Sequence, residues 1–256
     1  MSTFESRKKS RELNEKLIKL ALISAAAISI LTTFGILFSI LFEAIEFFKL
    51  RSFWYFITGT TWSPGVIGSQ FGALPIFAGT FVITIIALGV AIPIGLGSAI
   101  YMSEYASPKL RDYLKPLLEI LAGIPSVVYG FFAAITVAPL VVKAAEMVGL
   151  EATFNSALAS GIVMGIMIIP TISSLSDDVI RAVPDSQRKA SFGLGMTQAE
   201  TIKDIVLPSA MPGIISASLL ALSKALGETM VVVMAAGLRP NLSWNPLEDM
   251  TTVTVT

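Results

Sequence analysis

Lys189-Ala190-Ser191-Phe192-Gly193-Leu194-Gly195, followed by nine residues and then Ile205-Val206-Leu207-Pro208, is a polar stretch set between two long apolar ones. Within it, Thr197-Gln198-Ala199-Glu200 has the spacing of a capping box, in which the threonine hydroxyl and the glutamate carboxylate each satisfy a free backbone N–H at a helix start. A helix therefore begins again at about Thr197. Upstream, Asp185 can cap a short helix from Ser186 to Leu194, and Gly195 can take the positive φ that a sharp turn between two helices requires. The stretch predicts helix, glycine turn, helix, with Ala190, Phe192 and Leu194 as small or apolar contacts among Arg188, Lys189, Lys203 and Asp204. A capping box with one glycine also describes an ordinary solvated loop.

The composition around this loop sets the class. Of 256 residues 54% are hydrophobic and 14% charged, with mean hydropathy +0.77, against about 25% charged residues in soluble domains. This is the composition of an all-α polytopic membrane protein. Without cysteine there is no disulfide framework and no thiolate metal site, and without histidine the usual general base is missing, which argues against enzyme chemistry. Eighteen basic and eighteen acidic residues leave no basic excess for nucleic acid.

Apolar runs place five spans, at about 20–41, 76–101, 117–142, 156–176 and 213–236, in a single domain 1–256. The first run, Leu20 to Leu41, is too long for a signal peptide and continues into Phe42-Glu43 without a cleavage site, so it reads as a retained span. The aromatic residues from Phe47 to Trp62 suit either a membrane interface or a packed extracellular loop. Pro93 bends the second span, and Gly123-Ile124-Pro125-Ser126 and Pro139 fall in the third. Gly161-x3-Gly165 in the fourth is a close-packing pattern.

Basic residues are distributed unequally. Arg7, Lys8, Lys9, Arg11, Lys16 and Lys19, then Lys109, Arg111 and Lys115, then Arg181, Arg188, Lys189 and Lys203 fall on one side; Lys49, Arg51, Lys143 and Arg239 fall on the other. Because basic residues are retained in the cytoplasm, the N-terminus and the loop 184–208 are cytoplasmic, in a plasma-membrane protein whose last residue is outside.

Lys224 and Glu228 are the charges deep in a span. Counting from Gly213 at 1.5 Å per residue, Lys224 lies about 16 Å deep, where an isolated charge costs at least about 2.5 kcal/mol. At i and i+4 on a helix the two side chains can pair on one face, either as a structural ion pair or beside an anion path.

The loop resembles the E-A-A-x3-G-x9-I-x-L-P signature of ABC importer permeases, with Lys189 in place of Glu and Ser191 in place of Ala. Phe71-Gly72-Ala73-Leu74-Pro75, Ile100-Tyr101-Met102-Ser103-Glu104-Tyr105, Ile124-Pro125-Ser126-Val127-Val128-Tyr129-Gly130 and Gly227-Glu228-Thr229-Met230 extend the resemblance over nearly the whole chain, to the PstC-type permease of the phosphate-specific ABC importer. Lys224 stands where that family usually has Arg, and the family's sixth span would begin near Thr252. The resemblance implies the ABC importer permease fold. It also implies that the loop docks on an ATPase through Lys189, Ala190, Ser191, Gly195, Thr197, Glu200, Ile205, Leu207 and Pro208. Ser126, Tyr129, Lys224, Glu228 and Thr229 would line the substrate path, with no metal and no catalytic residue. The implied partners are a PstA-like second permease, an ATPase subunit dimer that carries ATP and Mg, an extracellular phosphate-binding protein, membrane lipid and phosphate. An ABC permease for sulfate or molybdate is the alternative within this class. An ion-gradient-driven carrier, with Lys224 and Glu228 as an ion relay, is the alternative outside it.

Overall fold

The computed structural model describes residues 2–65 and 68–256, with side chains from Asn14 onward. The basic cluster from Arg7 to Arg11 lies outside the described side chains. The chain forms two compact units, residues 1–56 and 57–256.

The first unit is built on α1 (Ser2–Leu50), a single helix of 49 residues. The helix runs on past both ends of the span expected at 20–41, since it holds no glycine or proline after Gly35 and carries the charges Glu43, Glu46 and Lys49 without a break. Phe47, Phe48, Phe53 and Phe56 pack edge to face, with ring centroids 5.2 to 5.7 Å apart, the geometry that the aromatic quadrupole favours. Phe53 opens α2 (Phe53–Thr58).

The second unit starts with a small hairpin, β1 (Trp62–Ser63) against β2 (Gln70–Phe71), with Trp62 opposite Phe71. Its helices are α3 (Leu74–Ile100), α4 (Pro108–Ala122), α5 (Ser126–Phe132), α6 (Ala138–Met147) and α7 (Ala157–Ala182), then α8 (Asp185–Gly193), α9 (Gln198–Thr201), α10 (Leu207–Leu226) and α11 (Met230–Ala235). Three five-residue π turns, Tyr101–Tyr105, Ala133–Val137 and Ile202–Val206, extend α3, join α5 to α6 and join α9 to α10. Among the described residues, five helical stretches are long and apolar enough to cross a membrane: Asn14–Leu50, Leu74–Tyr105, Ser126–Met147, Ala157–Ala182 and Gln198–Leu226.

These bounds correct three of the expected spans. The third is Ser126–Met147 rather than 117–142, since Pro125 lacks an N–H and α4 closes at Gly123, whose N–H returns to Glu119 O at 3.1 Å. The fourth starts as expected, at a helix that Ser156 caps by accepting from Ala159 N–H through Oγ at 3.3 Å, but runs on to Ala182. The fifth does not start after Pro212. Pro212 lies inside α10, which ends at Leu226 rather than Ala236: Gly227 N–H makes the last α-helical bond, to Ser223 O at 3.2 Å, and Glu228 N–H turns to Ala225 O, three residues back, at 3.2 Å.

The core is α7 held between α3 and α10. Gly161 meets Ile83 and Ile86, Gly165 meets Ala87 and Val90, and Ile172 meets Gly95, so α3 and α7 run parallel in close contact, as the small-residue pattern predicts. Gly213 of α10 lies against Val179, while Ala221 and Ala225 reach the Val163 to Ile172 cluster, so α10 runs antiparallel to α7. Met250, Thr251 and Thr252 are buried, Thr251 against Gly79; Thr80 Oγ1 accepts from Val253 N–H at 3.1 Å.

α4 is fastened to α7 by charge. Asp177 is fully buried and accepts from Arg111 Nη2 at 2.6 Å and Nε at 3.4 Å, with Lys115 Nζ 4.0 Å away and paired also to Asp178. The hydrogen bond to Asp177 holds the Arg111 pKa above its ordinary value despite burial. Removing one partner of such a pair strands the other charge, so Arg111→Met is expected to cost about 3 kcal/mol. Arg111→Met with Asp177→Leu is expected to recover most of that, because no buried charge is left. Thermal unfolding of the detergent-solubilised protein checks it: a double variant as unstable as the single one would refute this account.

Candidate functional site: the helical loop and the broken helices

The helical loop from α8 to α10 has the local geometry its sequence predicts. Gly195 has φ +85, Thr197 Oγ1 accepts from Glu200 N at 3.3 Å, and Glu200 Oε2 accepts from Thr197 N–H at 2.8 Å, which completes the capping box. One end differs. Asp185 is the first residue of α8 rather than its cap, and its carboxylate lies 3.5 Å from Arg188 instead of bonding backbone N–H groups.

Exposure divides the nine residues expected to dock on a partner. Lys189, Ala190, Gly195, Thr197 and Glu200 are exposed, beside Phe192 and a Leu194 that is 84% exposed. Ser191 is not part of that surface. It is buried and its hydroxyl lies 2.8 Å from the Thr201 hydroxyl, which ties α8 to α9 across the glycine turn. Leu207 faces inward onto the cluster of Ala99, Ile180, Val183, Val206 and Ala210, Ile205 is half-buried, and Pro208 sits exposed in the first turn of α10. The loop therefore exposes an outer face around Gly195 and keeps Ser191, Val206 and Leu207 for its own packing.

The expected substrate-path residues lie around two helix breaks. Lys224 is exposed in the last turn of α10, seventeen residues beyond Leu207 and so about 26 Å along that helix rather than 16 Å from a start at Gly213. Glu228 lies outside any helix: Oε1 accepts from Met230 N–H at 3.0 Å and Val231 N–H at 3.3 Å, so this carboxylate caps α11. No ion pair joins Lys224 to Glu228 among the described residues. The pairing expected at i and i+4 needs a continuous helix, and Gly227 ends it. Thr229 precedes α11. Ser126 begins α5 after the Gly123-Ile124-Pro125 break, and Tyr129 Oη donates across that break to Leu121 O at 3.0 Å. α5 packs on α11 with Gly130 against Met230 and Met234, so Ser126 and Tyr129 share a neighbourhood with Thr229 while Lys224 stands on a separate helix. Non-helical backbone in a membrane-spanning region is tolerated where it lines a cavity or is buried in protein. Among the described residues no group of three or more acidic side chains could hold a metal ion.

The family description "Binding-protein-dependent transport system inner membrane component" matches residues 91–244. That interval runs from the middle of α3 through the loop to the segment after α11. The chain belongs to this family. Its relatives agree with the assignment. It is 32% identical over 97% of its length to the probable ABC transporter permease protein YqgH of Bacillus subtilis, covering 80% of that protein. It is 34% identical to the phosphate transport system permease protein PstC 1 of Mycobacterium bovis, over 76% of this chain and 66% of that one. With PstC of Mesorhizobium japonicum it shares 34% identity over 91% of this chain and 75% of the relative. This binding-protein-dependent permease is thus a multi-pass membrane protein of the ABC permease fold.

What sequence reasoning missed in this permease is how the loop is held. Arg188 donates to Glu104 Oε1 at 2.9 Å, and Gln198 Nε2 donates to Glu104 O at 2.8 Å. Glu104 and Arg188 lie 84 residues apart, and local spacing gives no sign of their meeting.

Proposed function

We propose that this chain is the transmembrane permease subunit of an ATP-driven importer of inorganic phosphate, in which ATPase closure is converted to alternating access through the loop 184–208. The observation that carries the reading is the helix, glycine turn, helix between α7 and α10, whose exposed face around Gly195 is set by a capping box and the Ser191–Thr201 contact. Phosphate as the substrate is supported by the names of the relatives. A PstA-like second permease, an ATPase dimer holding ATP and Mg, and an extracellular phosphate-binding protein complete the machine, which places the N-terminus and the loop in the cytoplasm and leaves no catalytic residue in this chain. Lys224 supplies attraction for the anion from the exposed face of α10, since a charge in a spanning helix faces a partner or a water-filled path rather than lipid. Ser126, Tyr129, Thr229 and Glu228 frame the path at the two breaks. An ion relay through Lys224 and Glu228 is disfavoured, because Glu228 is engaged with the N–H groups of α11.

The test is uptake into vesicles that contain this chain with its second permease, ATPase and binding protein. Phosphate uptake that requires ATP and survives an ionophore is the expected result. Uptake restricted to sulfate or molybdate would replace the substrate, and uptake that continues without ATP but collapses with the ionophore would replace the mechanism.

A further inference from the structure

Glu104 sits in the π turn that ends α3, and the loop reaches it from both sides of Gly195. Arg188, in α8, donates Nη2–H to Glu104 Oε1 at 2.9 Å; Gln198, in the first turn of α9, donates Nε2–H to the Glu104 carbonyl at 2.8 Å. The Glu104 and Arg188 side chains are only 10% and 15% exposed. The same guanidinium donates to Ile180 O at 2.9 Å, which also accepts from Val183 N–H at 3.3 Å, and to Val183 O just past the end of α7. Its Nη1 lies 3.5 Å from Asp185 Oδ1. One side chain thus gathers the end of α7, the start of α8 and the end of α3.

α7 and α10 are joined to the loop covalently, whereas α3 is not: its chain neighbours are the hairpin segment and α4. Whatever moves α3 with the loop must act through side chains: the apolar cluster that joins Ala99 to Val206 and Leu207, and the polar contacts at Glu104. A guanidinium–carboxylate bond is charge-assisted and directional, and the second bond, from Gln198, stops the loop from pivoting about the first. A cleft of about 510 Å³, lined by Met102, Pro108, Arg111 and Arg181 and by Glu104 and Arg188 themselves, opens at the contact.

We propose that Glu104 and Arg188 form a latch that carries displacement of the loop into α3, so that α3, α7 and α10 move as one body. They are positioning residues for coupling, and the proposal rests on the reading that the loop docks on an ATPase. Opening the latch leaves the outer docking face and the α3–α7 contact in place, so ATP is still hydrolysed while less of each stroke reaches the path.

The experiment uses the full transport complex with Glu104→Ala, Glu104→Gln or Arg188→Gln, reading ATPase co-purification and ATP hydrolysed per phosphate taken up. The expected result is normal co-purification with a ratio raised by about fivefold or more in Glu104→Ala and Arg188→Gln, and a smaller rise in Glu104→Gln, which keeps an acceptor. Because this chain has no cysteine, Glu104→Cys with Arg188→Cys in an otherwise cysteine-free complex can be bridged by a cleavable bifunctional thiol reagent. Bridging should return the ratio toward its original value, and cleavage should raise it again. A ratio unchanged in the variants, a raised ratio that bridging does not lower, or variants that lose folding and ATPase together would overturn the latch. Failure of the unaltered chain to retain an ATPase would instead overturn the docking reading beneath it.

Discussion

Gly165→Leu is expected to leave little or no folded protein. A Cβ at Gly165 would stand 2.8 Å from Ala87 O and 2.9 Å from Val90 Cβ. The first of these is backbone, so no rotamer change relieves it and α3 must move away from α7 as a whole. That contact is the centre of the core, where Ile83, Ala87, Val163, Met164 and Ile168 are all buried. Even Gly165→Ala should cost about 1 to 3 kcal/mol, the usual cost of overpacking, and leucine adds three more carbons with nowhere to go. Gly161→Ala is expected to destabilise in the same way, since Ile86 Cγ2 at 2.7 Å and Ile86 Cβ at 2.8 Å belong to a β-branched centre fixed to the α3 backbone. Gly89→Leu is the control, having no heavy atom within 4 Å of a new Cβ. The monodisperse fraction after size exclusion in mild detergent, and its melting temperature, separate these cases. If Gly165→Leu behaves as Gly89→Leu does, the α3–α7 contact is not what holds the core.

Gly195→Asp is expected to spare the fold and abolish ATP-driven uptake. No atom lies within 4 Å of a Cβ at Gly195, so the damage is not a clash within the chain. A φ of +85 costs an L-residue about 1 to 2 kcal/mol, which α3, α7 and α10 can absorb. The turn itself cannot keep its shape, and its outer face gains a charge among Phe192, Leu194 and Thr197. The complex should purify with its second permease but without its ATPase, and uptake should fall to the level of a preparation that lacks the ATPase. Gly195→Asn, which tolerates a left-handed backbone better and adds no charge, should keep part of both. Normal ATPase retention and uptake in Gly195→Asp would remove the loop from the coupling path.

The features legible in the sequence were those written within one turn of helix. Thr197 and Glu200 are three residues apart, Gly161 and Gly165 four, and the Gly195 turn lies between two helices that declare their own ends. Lys224 and Glu228 were misjudged because their spacing was read without Gly227 between them. A lysine in a last turn followed by glycine is itself a helix-stop signal, and it gives the end at Leu226 that the structure has. The Ile124-Pro125 step was a similar signal for the third span. Ser191 faces inward because of Thr201 on the far side of the turn, and Asp177 is buried because Arg111 reaches it from α4. Those partners are brought together by tertiary packing, which no window of local sequence contains.

The π turn Ile202–Val206 gives the nine-residue interval of the loop a geometric meaning. Buried positions run Thr201, Ile202, Val206, Ala210, Ile214, Ala217, Ala221 and Ala225, so from Ile202 onward the steps are of four or three residues, and Thr201 stands one residue ahead of that pattern. The odd residue is absorbed where Leu207 N–H bonds Ile202 O, five positions back. One residue turns an α-helix by about 100°. Thr201, which faces Ser191, and Ala210, which packs with Ile180, can both be buried because the wide turn takes up that excess. The residue count between Gly195 and Pro208 thus acts as an angular setting, aiming the outer face of the loop relative to the three-helix core. The same residue lost further along α10, where no wide turn absorbs it, would swing the loop about a quarter of a circle away.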